Sequence, residues 1–332
     1  MQVRPAGLYC VPGEFYIDPL RPVDRALITH GHADHARPGH RAVAASAETL
    51  AIMQVRYGNE SGQSRQTLKM GEEIRIGDVD VTLFPAGHVL GSSQVRITYA
   101  GRRIVVSGDY KRRADPTCLP FEPVACDVFI SEATFALPIF RHPDIGTEIK
   151  KLLDSVALFP ERSHVIGAYA LGKAQRMICE LREAGWDRPI YLHGALQKLC
   201  DLYVAHGVPL GELRPATVGQ KGAAQDAFRG EIVLAPPSAI ADRWGRRLPD
   251  PVVCMASGWM RVRQRARQRN VELPLIVSDH ADWGELLQTL DDVGAPEVWV
   301  THGQEDALMH AASKKGIRAR ALALVGFDEE GQ

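Results

Sequence analysis

Short apolar or alternating runs, which are typical of β-strands, dominate the first third of the chain. Ala26–Thr29 and Val128–Ser131 are compact apolar runs of the kind that form buried strands. Two further pairs of runs each flank a two-residue turn, and each pair predicts a β-hairpin. The paired runs are Glu73–Ile76 with Val79–Pro85, and Gln94–Tyr99 with Arg103–Ser107. One clear helix is expected here, around Ser46–Tyr57.

After about residue 140 the pattern changes to strands that alternate with helices. Strands are predicted at Val165–Tyr169, Ile190–Leu192, Ile232–Leu234 and Val252–Met255, and helices at Lys173–Glu183, Ala195–Ala205 and Ala239–Arg243. Alternation at this spacing predicts a parallel sheet with crossover helices. The alternation continues through a strand at Leu275–Val277 and a helix at Trp283–Val293. The chain therefore has a β-rich front, an α/β middle and an α/β end.

Composition narrows the class of protein. The 332 residues are 45% hydrophobic and 24% charged, with a net charge of −1, as in an ordinary folded protein. The longest apolar stretches, such as Val252–Ala256, are far shorter than the ~18 residues of a membrane span. The first residues lack the apolar core of a secretory signal. The six cysteines are scattered and form no CxxC pair, so we expect reduced thiols in a cytoplasmic protein. The short apolar stretches predict that the protein has no membrane partner.

The near-neutral total hides a basic segment. Residues 243–269 contain eight arginines and one acid, Asp250. Such a segment is typical of a surface that meets phosphates, but it also fits a solvated helix face. Arg261, Arg265 and Arg269 are predicted to share one helical face by their spacing.

A dense group of metal-ligand side chains follows the first buried strand, in the segment His30-Gly31-His32-Ala33-Asp34-His35. On an extended chain, positions i and i+2 point to the same side, so His30 and His32 can share one metal ion. Asp34 and His35 follow where the chain leaves the strand and can face a second ion. Imidazoles and carboxylates suit Zn²⁺, and also Mn²⁺ or iron. The alternative, a polar surface turn, does not explain why three of 12 histidines crowd here.

Three further candidates follow predicted strands. His88 lies in the segment Pro85–Gly91, Asp109 follows Ser107-Gly108, and His302 lies in Thr301-His302-Gly303. Each alone is a weak signal, because a single histidine is more often a core or surface residue. Together with the first motif they predict a metal centre with two divalent ions, Zn²⁺ or Mn²⁺.

In this order, these residues resemble the metallo-β-lactamase superfamily. The resemblance implies a fold of the α/β class (an α+β sandwich). Its layers follow the order αββα, with two metal ions at one edge. It implies one metal site made by His30, His32 and His88, a second made by Asp34, His35 and His302, and Asp109 shared by both. Asp18, in Phe15-Tyr16-Ile17-Asp18-Pro19, matches an acidic position that orients a ligand histidine.

Two further motifs resemble the β-CASP nucleases of this superfamily. Glu132, in Ser131-Glu132-Ala133-Thr134, matches one motif, and His280, in Ser278-Asp279-His280-Ala281-Asp282, matches the next. That group inserts a parallel α/β β-CASP domain between these motifs. We therefore predict an N-terminal metallo-β-lactamase part at 1–139, the β-CASP domain at 140–272 and a C-terminal metallo-β-lactamase part at 273–332.

The segments LYCVPGEFYIDP, PAGHVLGSSQV, SGDYK and DPTCLPFEPV resemble the bacterial ligase-associated DNA exonucleases, which are Artemis-like. The resemblance implies a DNA exonuclease acting from a 5′ end on single-stranded or end-accessible DNA, in repair with a DNA ligase and a helicase. His302 is a histidine here, as in RNase J and the mRNA 3′-end endonuclease, so an RNase J-like RNA-processing nuclease is the main alternative. A small-molecule hydrolase and a catalytically silent nucleic-acid-binding subunit are the others.

Two divalent ions activate water near neutral pH and stabilise charge on a phosphoryl group. The leaving sugar oxygen needs a proton, and His280, outside the implied ligand set, is the candidate acid. Glu132 is predicted to pair with His280, and the alternative is that Glu132 is only a structural hydrogen-bond partner. The alternative for His280 is that it only binds phosphate. The predicted catalytic residues are Asp34, Asp109, Glu132 and His280. Candidate phosphate or DNA contacts are the helix-entry pairs Gly172-Lys173 and Ser257-Gly258 and the arginines Arg261 and Arg265. The alternative for Gly172-Lys173 is a simple helix entry that binds no phosphate.

Overall fold

A computed structural model of the chain describes residues 1–217, 228–248 and 250–322. The strands are β1 (Gln2–Arg4), β2 (Gly7–Cys10), β3 (Phe15–Ile17), β4 (Arg25–Leu27), β5 (Ala42–Ala45), β6 (Ser64–Thr67), β7 (Glu73–Ile76), β8 (Val79–Pro85), β9 (Ser93–Tyr99), β10 (Arg102–Val106), β11 (Val128–Ala133), β12 (His164–Gly167), β13 (Ile190–Leu192), β14 (Leu213–Pro215), β15 (Ile232–Ala235), β16 (Val252–Ala256), β17 (Leu273–Leu275), β18 (Glu297–Gly303) and β19 (Arg318–Ala321). The helices are α1 (Ala47–Tyr57), α2 (Ile145–Leu158), α3 (Lys173–Glu183), α4 (Gly194–Ala205), α5 (Pro237–Ala241), α6 (Arg263–Gln268), α7 (Trp283–Val293) and α8 (Glu305–Lys314).

The chain forms two compact units. The outer unit contains Met1–Arg141 and the described chain from His280 onward, and the middle unit contains His142–Asp279. These divisions lie close to the predicted ones at 139/140 and 272/273, and the three predicted domain segments stay predictions.

The outer unit is built on two sheets. Six strands in the order β1-β2-β3-β4-β5-β6 form the first sheet, and seven in the order β19-β18-β11-β10-β9-β8-β7 form the second. The two predicted hairpins are the antiparallel pairs β7–β8 and β9–β10, and β8 also pairs antiparallel with β9. In contrast, β10, β11, β18 and β19 run parallel. The carboxyl ends of β10, β11 and β18 therefore meet at one edge.

Alternation along the strands explains how the sheets stack. Leu27 of β4 and Val106 of β10 belong to one buried cluster that both sheets share. The neighbouring Ala26 faces the other way and packs with α1, whereas Val105 packs with residues of α7 and α8. Because successive side chains of a strand point to opposite faces, the layers follow the order helix, sheet, sheet, helix. The predicted α/β sandwich is confirmed.

The middle unit contains one parallel sheet in the order β14-β13-β15-β12-β16-β17. Its strands are short, and the central strands β12 and β15 are wholly buried, as expected of a parallel sheet covered on both faces. The predicted strand Leu275–Val277 is wrong in its bounds. β17 ends at Leu275 and pairs with β16 of this sheet, because Pro274 and its apolar neighbours continue the middle core.

None of the helices within 1–217, 228–248 and 250–322 combines the length and apolar character needed to cross a bilayer. The six cysteines are not joined in disulfides, and all but Cys118 are buried.

Candidate metal centre

The predicted metal ligands meet at one edge of the outer unit. The HGHADH segment follows β4, His88 follows β8, Asp109 follows β10, and His302 lies near the end of β18. This edge is where the carboxyl ends of parallel strands deliver their side chains. His302 has a backbone φ of 56°, which is the left-handed region that a non-glycine residue rarely adopts. Such strain is typical of residues held in place by a functional site.

Three histidines and Asp109 form a first cluster. His30 Nε2 lies 3.1 Å from His32 Nδ1, which lies 2.9 Å from His88 Nε2. Asp109 Oδ2 lies 3.5 Å from His30 Nε2 and 3.7 Å from His88 Nε2. Ligands about 2.1 Å from a tetrahedral zinc ion lie about 3.4 Å from each other. The donor set and its spacing therefore fit one divalent ion.

Asp109 also belongs to a second cluster. Its Oδ2 lies 3.4 Å from His35 Nε2, and its Oδ1 lies 3.8 Å from His302 Nδ1. The donor atoms of these three residues lie within 4.8 Å of one another. Asp34 Oδ2 lies 3.7 Å from His35 Nε2, but its side chain is 39% exposed and stands at the rim of this group. The residues thus fit a second divalent ion beside the first, with one carboxylate common to both.

Burial and mutual charge set the protonation of these ligands. Burial alone raises the pKa of Asp109, but the neighbouring His35 holds that pKa well below its usual value. Burial lowers the pKa of His30 well below its ordinary value and that of His302 to about 4. For His35, burial opposes protonation, but the carboxylates of Asp109 and Asp34 raise its pKa well above the ordinary value. Asp109 is therefore charged, and His30 and His302 are neutral, which are the forms that bind cations.

Asp18 lies directly behind the second cluster. Its Oδ2 lies 2.8 Å from His35 Nδ1, and its two oxygens accept hydrogen bonds from Thr29 N–H at 2.8 Å and Thr29 Oγ1 at 2.6 Å. Asp18 has a left-handed φ of 45°, which turns its side chain into this position. A carboxylate on Nδ1 fixes the tautomer that leaves Nε2 available for a metal.

Replacing Asp18 with Asn is therefore expected to weaken metal binding at the second cluster by about 10–100-fold and to leave the first cluster loaded. Titration of the apo-protein with Zn²⁺ or Mn²⁺, followed by calorimetry, measures the two affinities separately. Asp24→Asn is the matched control, because Asp24 pairs with Arg41 on the surface. Equal loss of both ions in Asp18→Asn would contradict an action through His35.

Glu132 and His280 form a buried pair beside these clusters. His280 Nδ1 lies 3.1 Å and 3.0 Å from the two oxygens of Glu132, and Glu132 Oε1 accepts the Tyr110 N–H at 2.7 Å. Burial raises the pKa of the Glu132 carboxyl. The donor atoms of His280, Glu132 and Asp109 also lie within 4.8 Å of one another. The arrangement therefore suits either proton transfer or a third ligand group, and metal content separates the two roles.

Several groups that shape this edge carry no signal in the sequence. Thr29 links Asp18 to His30, whose Nδ1 lies 3.1 Å from Thr29 Oγ1. A side chain at Gly108, where φ is 56°, would come within 2.8 Å of Thr29 Oγ1. The loop that carries Asp109 therefore packs against the segment after β4 that carries His30, and only glycine fits there. Threonine and glycine are too common for spacing alone to mark them.

At the start of α3, the groups of Gly172 and Lys173 that were predicted to contact phosphate are bonded to other parts of the protein. The N–H of Gly172 donates to Gln175 Oε1 at 2.8 Å, and that of Lys173 donates to Leu171 O at 3.2 Å. The Lys173 ammonium is buried and lies 2.9 Å from Asp279 Oδ2. The prediction that Gly172 and Lys173 cradle a phosphate has no support from this geometry.

The other predicted phosphate contacts lie after β16. Ser257 and Gly258 are buried, and Ser257 Oγ accepts the Trp259 N–H at 3.3 Å. Arg261 is exposed, and the Arg265 guanidinium lies 3.9 Å from the centre of the Trp259 ring. Their role in binding DNA stays a prediction.

The predicted helical face of Arg261, Arg265 and Arg269 is wrong. Val262 has φ −92° and ψ 101°, so it interrupts the helix, and α6 contains only Arg263–Gln268. Spacing of four residues places side chains on one face only within a continuous helix.

Comparisons with known proteins agree with this geometry. Residues 3–142 match the Beta-lactamase superfamily domain. The chain is 28% identical over 327 residues to a protein named Probable DNA ligase from Opitutus terrae, which covers 95% of this chain and 30% of that one. It is 33% identical over 146 residues to cleavage and polyadenylation specificity factor subunit 3 of Dictyostelium discoideum, covering 41% of this chain and 18% of that protein.

A third relative is transcription termination factor FttA of Methanosarcina mazei, 28% identical over 284 residues, 73% of this chain and 44% of that protein. The chain thus spans less than half the length of these three relatives. The fold matches a solved structure of a protein of unknown function from Enterococcus faecalis V583, with a TM-score of 0.60 and 14% identity over 91% of this chain and 79% of that one. The predicted resemblance is therefore confirmed for residues 3–142, which match the superfamily domain, and the relatives are consistent with the β-CASP nucleases.

Proposed function

We propose that the protein is a two-metal phosphodiesterase that degrades DNA, as an exonuclease acting from a 5′ end. The observation that carries the chemistry is Asp109, whose carboxylate lies within 3.8 Å of ring nitrogens of His30, His35, His88 and His302. One carboxylate common to two histidine clusters is suited to two divalent ions held side by side. When bound, such ions activate a water and offset charge on a phosphoryl group.

The remaining chemistry belongs to the chain itself. His30, His32, His88 and Asp109 would hold one ion, and Asp34, His35, His302 and Asp109 the other. In the proposal, His280 gives a proton to the leaving sugar oxygen, and Glu132 fixes the imidazole through Nδ1. Because Nδ1 faces Glu132, the opposite ring nitrogen is the one that would act on the substrate.

DNA is favoured over RNA by one comparison. The relative named as a DNA ligase aligns with 95% of this chain, whereas the relatives named as endoribonucleases align with at most 60% in the pairs compared. This supports a role in DNA repair together with a ligase, and a helicase is a further proposed partner. RNA processing is the second candidate, supported by those endoribonuclease relatives and by the histidine at position 302.

Matched labelled DNA and RNA oligomers test the substrate. We expect progressive loss of single-stranded DNA with Mn²⁺ or Zn²⁺, release of short products from the 5′ end, and no cleavage after chelation. Labels at either end distinguish the polarity, and a circular single strand distinguishes exonuclease from endonuclease action. Faster cleavage of RNA than of DNA would refute the DNA assignment. Full activity in the metal-free protein would refute the two-metal mechanism.

Binding of DNA to the basic segment has its own signature. If Arg261 and Arg265 contact phosphates, log Kd should depend on log salt, and each arginine replaced by alanine should flatten the slope by about 0.7–0.9. Titration of fluorescent DNA at several salt concentrations, with a chelator present, measures this slope. Arg214→Ala is the control, because Arg214 is an exposed arginine of the same unit that pairs with Glu212. If neither Arg261→Ala nor Arg265→Ala changes the slope, these arginines face solvent and do not contact DNA.

A further inference from the structure

A buried charge cluster begins helix α3 of the middle unit. Lys173 and Arg176 are only 3% and 2% exposed. Lys173 Nζ donates to Val277 O at 2.9 Å and lies 2.9 Å from Asp279 Oδ2. Arg176 Nη1 donates to Ser278 O at 2.6 Å and lies 3.1 Å from Asp279 Oδ1. Two cations thus hold three consecutive residues of one segment.

This segment has left the sheet. β17 ends at Leu275, so no strand pairing holds the carbonyls that follow. The Ile276 N–H instead donates to Glu148 Oε2 at 2.8 Å, and the carbonyls of the next two residues accept from Lys173 and Arg176. Side chains of helices α2 and α3 therefore bind the segment along its length. Burying lysine and arginine is costly unless both are paired, and in some proteins such buried pairs select a single conformation.

His280 is the next residue in the chain. Consecutive Cα atoms are 3.8 Å apart across a trans peptide bond, so the position of Asp279 limits where His280 can lie. On the far side of His280, the Ala281 N–H donates to Tyr110 O at 2.7 Å and the Trp283 N–H to Phe140 O at 3.0 Å. His280 is thus a single residue between two anchored stretches of backbone.

We propose that Lys173, Arg176 and Asp279 are positioning residues that fix the backbone from which His280 reaches its partner Glu132. The effect on catalysis rests on the proposed function, in which His280 transfers a proton. The effect on the backbone does not depend on it. In this proposal Lys173 fixes the backbone next to His280 and does not contact a phosphate.

The test compares Asp279→Asn with the double variant Lys173→Met/Asp279→Asn. The single change removes the carboxylate that faces Lys173, whereas Arg176 keeps Glu180 at 3.5 Å, so a loss of stability is expected and would be ambiguous alone. The double change removes one cation together with the carboxylate and is expected to recover stability without recovering the anchor. We expect the double variant to keep its metal content, to lose roughly tenfold in kcat on the natural substrate with KM nearly unchanged, and to cleave a p-nitrophenyl phosphodiester within twofold of the parent.

Amide hydrogen exchange measures how firmly the backbone is held and does not require the protein to cleave a substrate. In the double variant, the amides of Ala281 and Trp283 are expected to exchange about tenfold faster than in the parent. Arg162→Met is the matched control, because Arg162 pairs with Glu272 in the same unit and does not contact the 277–279 segment. Parental exchange at Ala281, or parental kcat on the natural substrate in a folded double variant, would overturn the proposal. Failure of the parent to cleave any nucleic acid would refute the proposed function alone, and hydrogen exchange would still decide the positioning role.

Discussion

Asp109→Ala is expected to lower cleavage by roughly 10³-fold or more, because this one side chain belongs to both proposed ion sites. Asp109 is the only carboxylate of the described residues in both the three-histidine cluster and the His35–His302 cluster. Its loss removes a charged group from each cluster and leaves His30, His32 and His88 without the carboxylate that is grouped with them. We therefore expect the purified variant to hold fewer than two ions per chain.

Elemental analysis after dialysis and cleavage of labelled DNA measure both effects. Asp80→Ala is the control, since Asp80 pairs with Arg75 on the surface of the same unit. It should keep its ions and its rate. Two bound ions in Asp109→Ala, together with a parental rate, would show that the shared-ligand assignment is wrong.

The hairpins were predictable because they depend on local pattern, whereas the layered sandwich was expected only from the resemblance to the metallo-β-lactamase superfamily. Alternating apolar residues indicated the hairpins, and ligand-type side chains at strand ends indicated where the sheet edge would collect them. The HGHADH motif needed no distant information, since i and i+2 on an extended chain already share a side. His88, Asp109 and His302 were predictable only as a group, since their proximity depends on the order of strands in the sheet.

Other features depend on contacts between distant parts of the chain. Lys173 opens a helix after a strand, which is the pattern of a phosphate site, yet its ammonium is buried against Asp279. Nothing in the local sequence reveals that partner. The arginine face failed for a different reason. Helical spacing assumes a continuous helix, and the backbone at Val262 interrupts it. Composition and spacing therefore indicate charge and periodicity but not which charges are already paired.

His280→Ala is expected to separate proton transfer from metal binding. His280 Nδ1 lies 3.0 Å from Glu132 Oε2, and its ring centre lies 4.6 Å from that of His88. The residue thus stands beside the proposed ion sites, for which seven other residues are the proposed ligands. A general acid contributes about 10²–10⁴-fold to a rate, so the variant should lose that factor on natural DNA and keep both ions.

A substrate with a good leaving group needs no proton, so cleavage of a p-nitrophenyl phosphodiester should fall far less. Glu132→Gln retains the size of the partner but removes its charge, and we expect a smaller loss with the same dependence on the leaving group. The two substrates and the metal content together identify the role. An emptied ion site in His280→Ala would make His280 a ligand of a third group with Asp109 and Glu132, as their spacing within 4.8 Å allows. Equal losses on both substrates with both ions retained would instead assign His280 to substrate positioning, because only proton transfer depends on the basicity of the leaving oxygen.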